Sequence, residues 1–443
     1  MTLLYYRFMK KTELDEATIR SLYRPRVADP EIKKMLEVFG AVHISGCKWC
    51  GKTWTGIAHS NSSILIGKRK IRELAEADPE VALEGEEPRL VDEWQDVPEL
   101  WDTARYNIDF SSRKGMYIFT GSVSPPKEST KHSGTGRFAP LKMRPMSLFE
   151  SGDSNGSVSL AKLFRGEKLT SSVSKIGYKE TVNLICRGGW PAGIELDTDK
   201  AMLIPRGYVD MIINYDFSKI DGVKRNPSTV RRILRSLARN NATEARISVL
   251  ANDIKDADKA MSVITAEAYL NALKGIFVIE EQDGWVPEIR SKIRMRTSPK
   301  RHFVDPSLAA AALGISSDAL LMDAETAGFM YESLCYRDLC TYAAPFSGKV
   351  YHYRDDNGLE VDAIIETADG RWAGVEMKMG YSKVEEGAKN LISLRDKIRR
   401  ENEEGKKKVP DPEFLMVLCA TVTSSHVRKQ DGVLVVPTDC LGP

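Results

Sequence analysis

The sequence predicts an α/β protein: a parallel-sheet core, then a connecting segment, a winged helix-turn-helix and a second α/β domain at the C-terminus. Three observations carry the prediction. An apolar run near residue 45 ends in G-x-x-x-x-G-K-T, helix-period patterns between residues 229 and 273 give way to strand-period ones, and an acidic and a basic residue lie at strand spacing near residue 376. Length agrees, since 443 residues at roughly 150 per domain give about three domains. The expected divisions are 1–150 for the core, 151–225 for the connector, 226–318 for the winged helix and 319–443 for the C-terminal domain.

In the core, Ala41-Val42-His43-Ile44-Ser45 reads as a strand, and Gly46-Cys47-Lys48-Trp49-Cys50-Gly51-Lys52-Thr53 leads from it into a helix-compatible segment. Glycines at both ends let backbone N–H groups curl around a phosphate at a helix N-terminus, whose partial positive charge favours anions. Lys52 reaches the β- and γ-phosphates in this arrangement, and the Thr53 hydroxyl completes a Mg²⁺ shell, which makes ATP with Mg²⁺ the expected ligand. A second apolar run ends at Leu90-Val91 and is followed by Asp92 and Glu93. Asp92 suits the Mg²⁺ and Glu93 the attacking water as general base, a pairing that implies hydrolysis. A third run, Met116 to Phe119, ends in Thr120-Gly121-Ser122, putting a small hydroxyl near the γ-phosphate; a plain turn is the alternative.

From Gly152 to Ser174 the chain is rich in Ser and Gly and reads as a loop. A helix from Thr229 buries Val230, Ile233, Leu234 and Leu237, with Arg231, Arg232, Arg235 and Arg239 on its other side. A short helix at Ile247–Ile254, a helix at 265–273 with Thr265 as N-cap, and a hairpin starting at Phe277-Val278-Ile279 complete the winged-helix order. The hairpin's second strand reads Ile289 to Arg296, with Arg290, Lys292, Arg294 and Arg296 on one face. Four cations on one face cannot be buried together, and they suit the phosphates of duplex or branched DNA. A winged helix used only for packing is the alternative.

Near the C-terminus, Gly358–Ile365 and Trp372–Lys378 read as two strands. Glu376 and Lys378 share a face, and Asp362 on the neighbouring strand can meet them. Two carboxylates that bind Mg²⁺ and a lysine that orients water are what a phosphodiesterase needs. The stretch from Asn402 to Pro412, with Lys406-Lys407-Lys408, reads as a solvated loop.

Longer segments add a resemblance. P-R-L-V-D-E-W-Q-D-V-P-E-L-W (Pro88–Trp101), F-T-G-S (Phe119–Ser122), H-S-G-T-G-R-F (His132–Phe138) and L-K-M-R-P-M-S-L-F-E (Leu141–Glu150) resemble a prokaryotic AAA-type ATPase family. Its members carry a C-terminal domain of unknown function that looks like a restriction-endonuclease-type nuclease. The resemblance implies a first sensor at Ser122 or Thr120 and an arginine finger at Arg137, acting on the nucleotide of a neighbouring copy in a homo-oligomer. It also implies that Arg187-Gly188-Gly189-Trp190-Pro191 is the turn of the helical lid and that Glu332 is the helical acid preceding Asp362, Glu376 and Lys378, a further metal ligand. Trp49 and Cys50 depart from the family's small or Val-like residues. A surface ion pair is the plain alternative for Arg137, worth about 0 to 1 kcal/mol.

Composition excludes several classes. Sixty-four Lys and Arg against 62 Asp and Glu give +2, unlike a histone-like polycation or an acidic tail, so any nucleic-acid contact is local. Residues 224–302 hold 16 Lys and Arg against 9 Asp and Glu, 16 − 9 = +7, which leaves 2 − 7 = −5 elsewhere. No signal peptide or spanning segment is visible, so a cytoplasmic protein with no membrane partner is expected. Seven scattered cysteines suit reduced thiols, and Cys47-x-x-Cys50 lacks the second pair of a zinc site. The expected function is an ATP-hydrolysing DNA-binding protein with a nuclease-like domain. The alternatives are an ATP-dependent DNA remodeller without cleavage and a signalling ATPase scaffold that touches no DNA.

Overall fold

Ala41–Ser45 forms strand β1, whose apolar Ala41, Val42 and Ile44 are fully buried. With Ser62–Leu65 (β2), Arg89–Asp92 (β3), Tyr117–Gly121 (β4) and Phe138–Lys142 (β5) it builds a five-stranded sheet of order β2-β3-β4-β1-β5. Every pairing is parallel. In such sheets ligands bind beyond the carboxyl ends of the strands, where the strand order switches, as it does at β1. The structure, a computed structural model, describes residues 15–123, 133–217, 225–256, 259–287, 298–405 and 408–443. It divides into two compact units: residues 1–45 with 51–142, and residues 143–443 with the loop 46–50. The three divisions expected after the core thus belong to one unit.

The first unit is held by an aromatic cluster. Trp94 and Trp101 stack with centroids 4.6 Å apart, and Trp101 stacks on Phe138 at 3.8 Å. All three belong to the buried core with Phe119, Leu100 and Ile108.

In the second unit, the expected loop from Gly152 contains a short helix, Leu160–Phe164, capped by Ser159. Its Leu160, Leu163 and Phe164 are buried, and that apolar burial outweighs the Ser/Gly-rich flanks. The helix Pro227–Arg239 is capped by Asn226 and buries Val230, Ile233, Leu234 and Leu237, as the periodicity predicts. Helices Ile247–Asp253 and Val263–Gly275 follow; the cap of the latter is Ser262, not Thr265, because the Ser262 hydroxyl accepts from the Thr265 N–H at 3.0 Å. The antiparallel hairpin pairs Ile279–Gln282 (β6) with Lys300–Phe303 (β7). Phe277 sits at φ 57°, in the left-handed region, so the first strand begins after it. The strand predicted over Ile289–Arg296, with Arg290, Lys292, Arg294 and Arg296, lies outside the described residues, as do His132, Lys406 and Lys407.

The C-terminal sheet consists of Lys349–Arg354 (β8), Glu360–Glu366 (β9), Trp372–Lys378 (β10), Leu415–Cys419 (β11), His426–Val427 (β12) and Leu434–Pro437 (β13), in the order β8-β9-β10-β11-β13-β12. The first three are an antiparallel meander, and β10, β11 and β13 run parallel. Helix Val384–Glu403 covers it with Leu391, Leu394 and Ile398, packed with Trp372, Val417 and Val435. Helix Ala324–Ala343 carries Glu332. Among the described residues, no helix is long and apolar enough to cross a membrane.

Candidate functional site

The loop after β1 is shaped by glycine at both ends. A Cβ on Gly46 would lie 2.2 Å from the Met143 carbonyl oxygen, and Gly51 has φ 104°, a value L side chains rarely adopt. Trp49 has φ 65° and is 66% exposed, whereas Cys47 and Cys50 are fully buried, Cys50 Sγ donating to the Met143 carbonyl at 3.7 Å. Helix Lys52–His59 begins directly after Gly51.

Strand pairing brings the remaining residues together. Asp92 at the end of β3 is in register with Thr120 on β4. Thr53 donates its hydroxyl to Asp92 Oδ1 at 2.9 Å, and the Thr120 hydroxyl donates to the same oxygen. Burial pushes the Asp92 carboxyl above its ordinary range, while the Thr120 and Thr53 hydroxyls pull it back. Glu93 has φ 55° and ψ 43°, a left-handed conformation that costs of order 1–3 kcal/mol and recurs at functional sites. Its Oε2 accepts from the Ser122 hydroxyl at 3.2 Å and from the Gln95 amide. Thr120 and Ser122 therefore serve different acids, the first holding Asp92 and the second Glu93. The pairing of the Thr53 hydroxyl with the Asp92 carboxylate is an all-oxygen donor set that fits a hard divalent cation.

Arg137 is 43% exposed at its side chain and ion-paired through Nε to Asp109 Oδ1 at 2.7 Å. The Arg187–Trp190 segment does structural work. A Cβ on Gly189 would lie 2.0 Å from the Met146 carbonyl oxygen, the Gly189 N–H donates to Asp305 Oδ2 at 2.9 Å, and Trp190 Nε1 donates to Ser307 at 2.9 Å. Asp305 is in turn paired with the buried Arg337 at 2.7 Å.

The C-terminal cluster unites Asp362, Glu376 and Lys378 as predicted. Ala363 pairs with Val375 across β9 and β10, so Asp362 and Glu376, one residue further on each strand, face each other. Lys378 Nζ lies 3.2 Å from Asp362 Oδ2 and 2.5 Å from Glu376 Oε2; the Met377 N–H donates to Asp362 Oδ2 at 2.8 Å, and Asn390 to Glu376 Oε1 at 3.2 Å. Burial, reinforced by the Asp362 charge, pushes the Glu376 carboxyl well above its ordinary range. Burial also opposes ionisation of Asp362, yet Lys378 and Lys300 hold its carboxyl below the usual value.

Glu332 does not join them as a ligand. Its Oε1 lies 2.7 Å from Lys300 Nζ, which also reaches Glu360 Oε1 at 2.8 Å. Burial raises the Glu332 carboxyl to about 7, against the opposing pull of Lys300. Among the described residues, no three His, Cys, Asp or Glu side chains gather as a metal-holding group. The expected ligand set of Glu332, Asp362 and Glu376 is thus interrupted by ammonium groups, and as arranged it does not fit a divalent cation.

Residues 39–151 match the family model described as AAA domain. The N-terminal part of this protein is an AAA-type P-loop ATPase domain. Two models of domains of unknown function match later segments of the chain, DUF8612 over residues 178–319 and DUF4143 over residues 327–441. Uncharacterized proteins of Mycobacterium tuberculosis and Mycobacterium bovis are each 25% identical over 369 residues, covering 81% of this chain and 74% of theirs. Among solved structures, a Walker-type ATPase of Pyrococcus abyssi has a TM-score of 0.39 at 16% identity, covering 66% of this chain and 99% of its own. The replication initiator DnaA bound to AMPPCP and single-stranded DNA has a TM-score of 0.26 at 14% identity, covering 61% of this chain and 90% of its own.

Several residues of these sites escape sequence reasoning. Gln95 sits two positions after Glu93, inside a motif whose acids draw the eye. Lys300 reads in sequence as one more cation of a basic segment, and only the fold turns it inward, leaving its side chain 3% exposed. Gln282 and His302 are likewise unremarkable in sequence, yet His302 bridges Gln282 at 2.9 Å and Ser333 at 2.7 Å, and Gln282 donates to the Asp362 carbonyl at 2.9 Å.

Proposed function

We propose that this AAA-type ATPase couples ATP turnover to DNA binding through the winged helix-turn-helix, with the C-terminal sheet domain holding the DNA without cutting it. The observation that carries the hydrolytic half is the convergence of Thr53 and Thr120 on Asp92, with Glu93 on the next residue oriented by Ser122 and Gln95. Bound between Thr53 and Asp92, Mg²⁺ would supply charge neutralisation of the triphosphate. Lys52 would bind the β- and γ-phosphates, and Glu93 would take a proton from the attacking water. Arg137, exposed on its side of the domain, would act on the nucleotide of a second copy in a homo-oligomer, giving up Asp109 to do so.

The DNA half is supported by the local +7 over residues 224–302 and by the order of three helices and a hairpin, that of a winged helix-turn-helix. A second reading, metal-dependent cleavage, takes its motif from the meeting of Asp362, Glu376 and Lys378 across β9 and β10, but the ammonium groups of Lys378 and Lys300 among the carboxylates weigh against it. The test is a panel of single-stranded, duplex and branched DNAs scored together for affinity against salt, ATP turnover and strand cleavage. Salt-dependent binding with DNA-stimulated turnover is expected. A chain that hydrolyses ATP but binds none of the forms is instead a protein scaffold, and cleavage abolished by Asp362→Ala would establish the second reading.

A further inference from the structure

We propose that Lys300 takes the place of a divalent cation in the carboxylate cluster of the C-terminal sheet, closing that cluster to metal for as long as the ammonium stays seated. The inference deepens the reading of this domain as one that holds DNA without cutting it, and rests on that reading only in naming a hard divalent cation as the competitor.

Four carboxyl groups lie in two pairs here, each pair bridged by an ammonium group: Glu332 and Glu360 by Lys300, Asp362 and Glu376 by Lys378. Lys378 belongs to the strand motif itself. Lys300 does not: it comes from β7 of the hairpin and reaches Glu332 Oε1 at 2.7 Å and Glu360 Oε1 at 2.8 Å. Hard divalent cations need several oxygens turned toward one point, for Mg²⁺ at about 2.0–2.1 Å. Here the oxygens of Glu332 and Glu360 are turned toward an ammonium at hydrogen-bond distance, leaving Asp362 and Glu376 to Lys378.

Lys300 is also anchored in place, unlike a surface lysine. Its partner across the hairpin is Gln282, whose side chain donates to the Asp362 carbonyl at 2.9 Å. Two residues on, His302 bonds Gln282 at 2.9 Å and Ser333, the neighbour of Glu332, at 2.7 Å. The hairpin is thereby bolted both to the strand carrying Asp362 and to the helix carrying Glu332. An ammonium so buried is stable only while paired, and the carboxylates it pairs with are the ones a metal would need.

Mn²⁺ binding to the nucleotide-free full chain, followed by the paramagnetic resonance of free Mn²⁺, tests this. All proteins carry Asp92→Asn so that the ATPase site adds no signal. The parent is expected to bind no Mn²⁺ through Asp362 at micromolar concentrations. Lys300→Gln, whose amide can still donate to Glu332, should gain one site at least about tenfold tighter. That site should vanish on adding Asp362→Asn, and Lys300→Arg should behave as the parent does. Asp362-dependent binding by the parent, no gain in a folded Lys300→Gln protein, or an equal gain in Lys300→Arg would each overturn the proposal. Should Lys300→Gln fail to fold, acetylation of Lys300 in the unmodified chain decides by mass spectrometry. It should stay slow with and without millimolar Mn²⁺, whereas acceleration by Mn²⁺ would mean that the ion displaces the lysine and would overturn the proposal. None of these readouts involves DNA, so a failure of the DNA-binding reading leaves them intact.

Discussion

His43 on β1 makes acid stability of the ATPase domain a quantitative question. Trp94 Nε1 donates to His43 Nε2 at 3.2 Å, so neutral His43 carries its proton on Nδ1. The ring also meets Trp94 and Trp101 edge-on, with centroids 5.7 and 5.3 Å away. Burial lowers its pKa from 6.5 to about 4. Because the folded value is depressed, the unfolded chain takes up a proton first as pH falls, and stability is lost progressively from pH 6.5 down to about 4. At pH 5 an unfolded histidine is almost wholly protonated and the native one about one-tenth so. The resulting loss is about 2 kcal/mol, an upper bound because the ring keeps partial exposure. In His43→Gln the Trp94 hydrogen bond can persist, but two ring contacts of about 0.5–1.5 kcal/mol each are lost. The variant should be less stable by about 1–3 kcal/mol at pH 7.5 and draw close to the wild type near pH 5. Denaturant unfolding followed by tryptophan fluorescence, at both pH values, measures this, and every other titrating group cancels in the difference. Parallel stability losses for the two proteins would refute the reasoning.

Lys52→Ala should weaken nucleotide binding, while Glu93→Gln should bind normally and lose turnover by about 10²- to 10⁴-fold; equal turnover would remove Glu93 as base. Replacing Arg290, Lys292, Arg294 and Arg296 by Ser should flatten the slope of log affinity for duplex DNA against log salt by about 3 to 4, and an unchanged slope in filter binding would exclude them from the interface. Gly189→Ala forces a Cβ to within 2.0 Å of the Met146 carbonyl and should cost at least about 1–3 kcal/mol, read as a fall in the melting temperature of the second unit. Arg337→Met strands Asp305 and Asp338, each 2.7 Å from its guanidinium, and should cost about 3–5 kcal/mol in the same melt.

The ATPase site was legible because its chemistry is local. A glycine-bracketed loop between a strand and a helix needs no distant partner to declare itself, and Asp92-Glu93 ends an apolar run. The two hydroxyls were harder to assign, because only the register of β3 against β4 sets Thr120 on Asp92 and leaves Ser122 to Glu93. The Ser/Gly-rich stretch from Gly152 hid a short helix because three buried apolar residues decide it, and burial is a property of what packs on them.

By itself the sequence determined the parallel core, its phosphate loop and acids, and the strand spacing that lets Asp362, Glu376 and Lys378 meet. These follow from periodicity and backbone freedom, which act over a few residues. Tertiary structure alone decided the electrostatics of the C-terminal cluster. Lys300 lies 62 residues along the chain from Asp362, and whether its charge faces solvent, DNA or carboxylates depends on where the hairpin docks. Docking turned it inward between Glu332 and Glu360. Charge in a low-dielectric interior must be matched by whatever the fold brings within about 4 Å, and no count along the chain contains that distance.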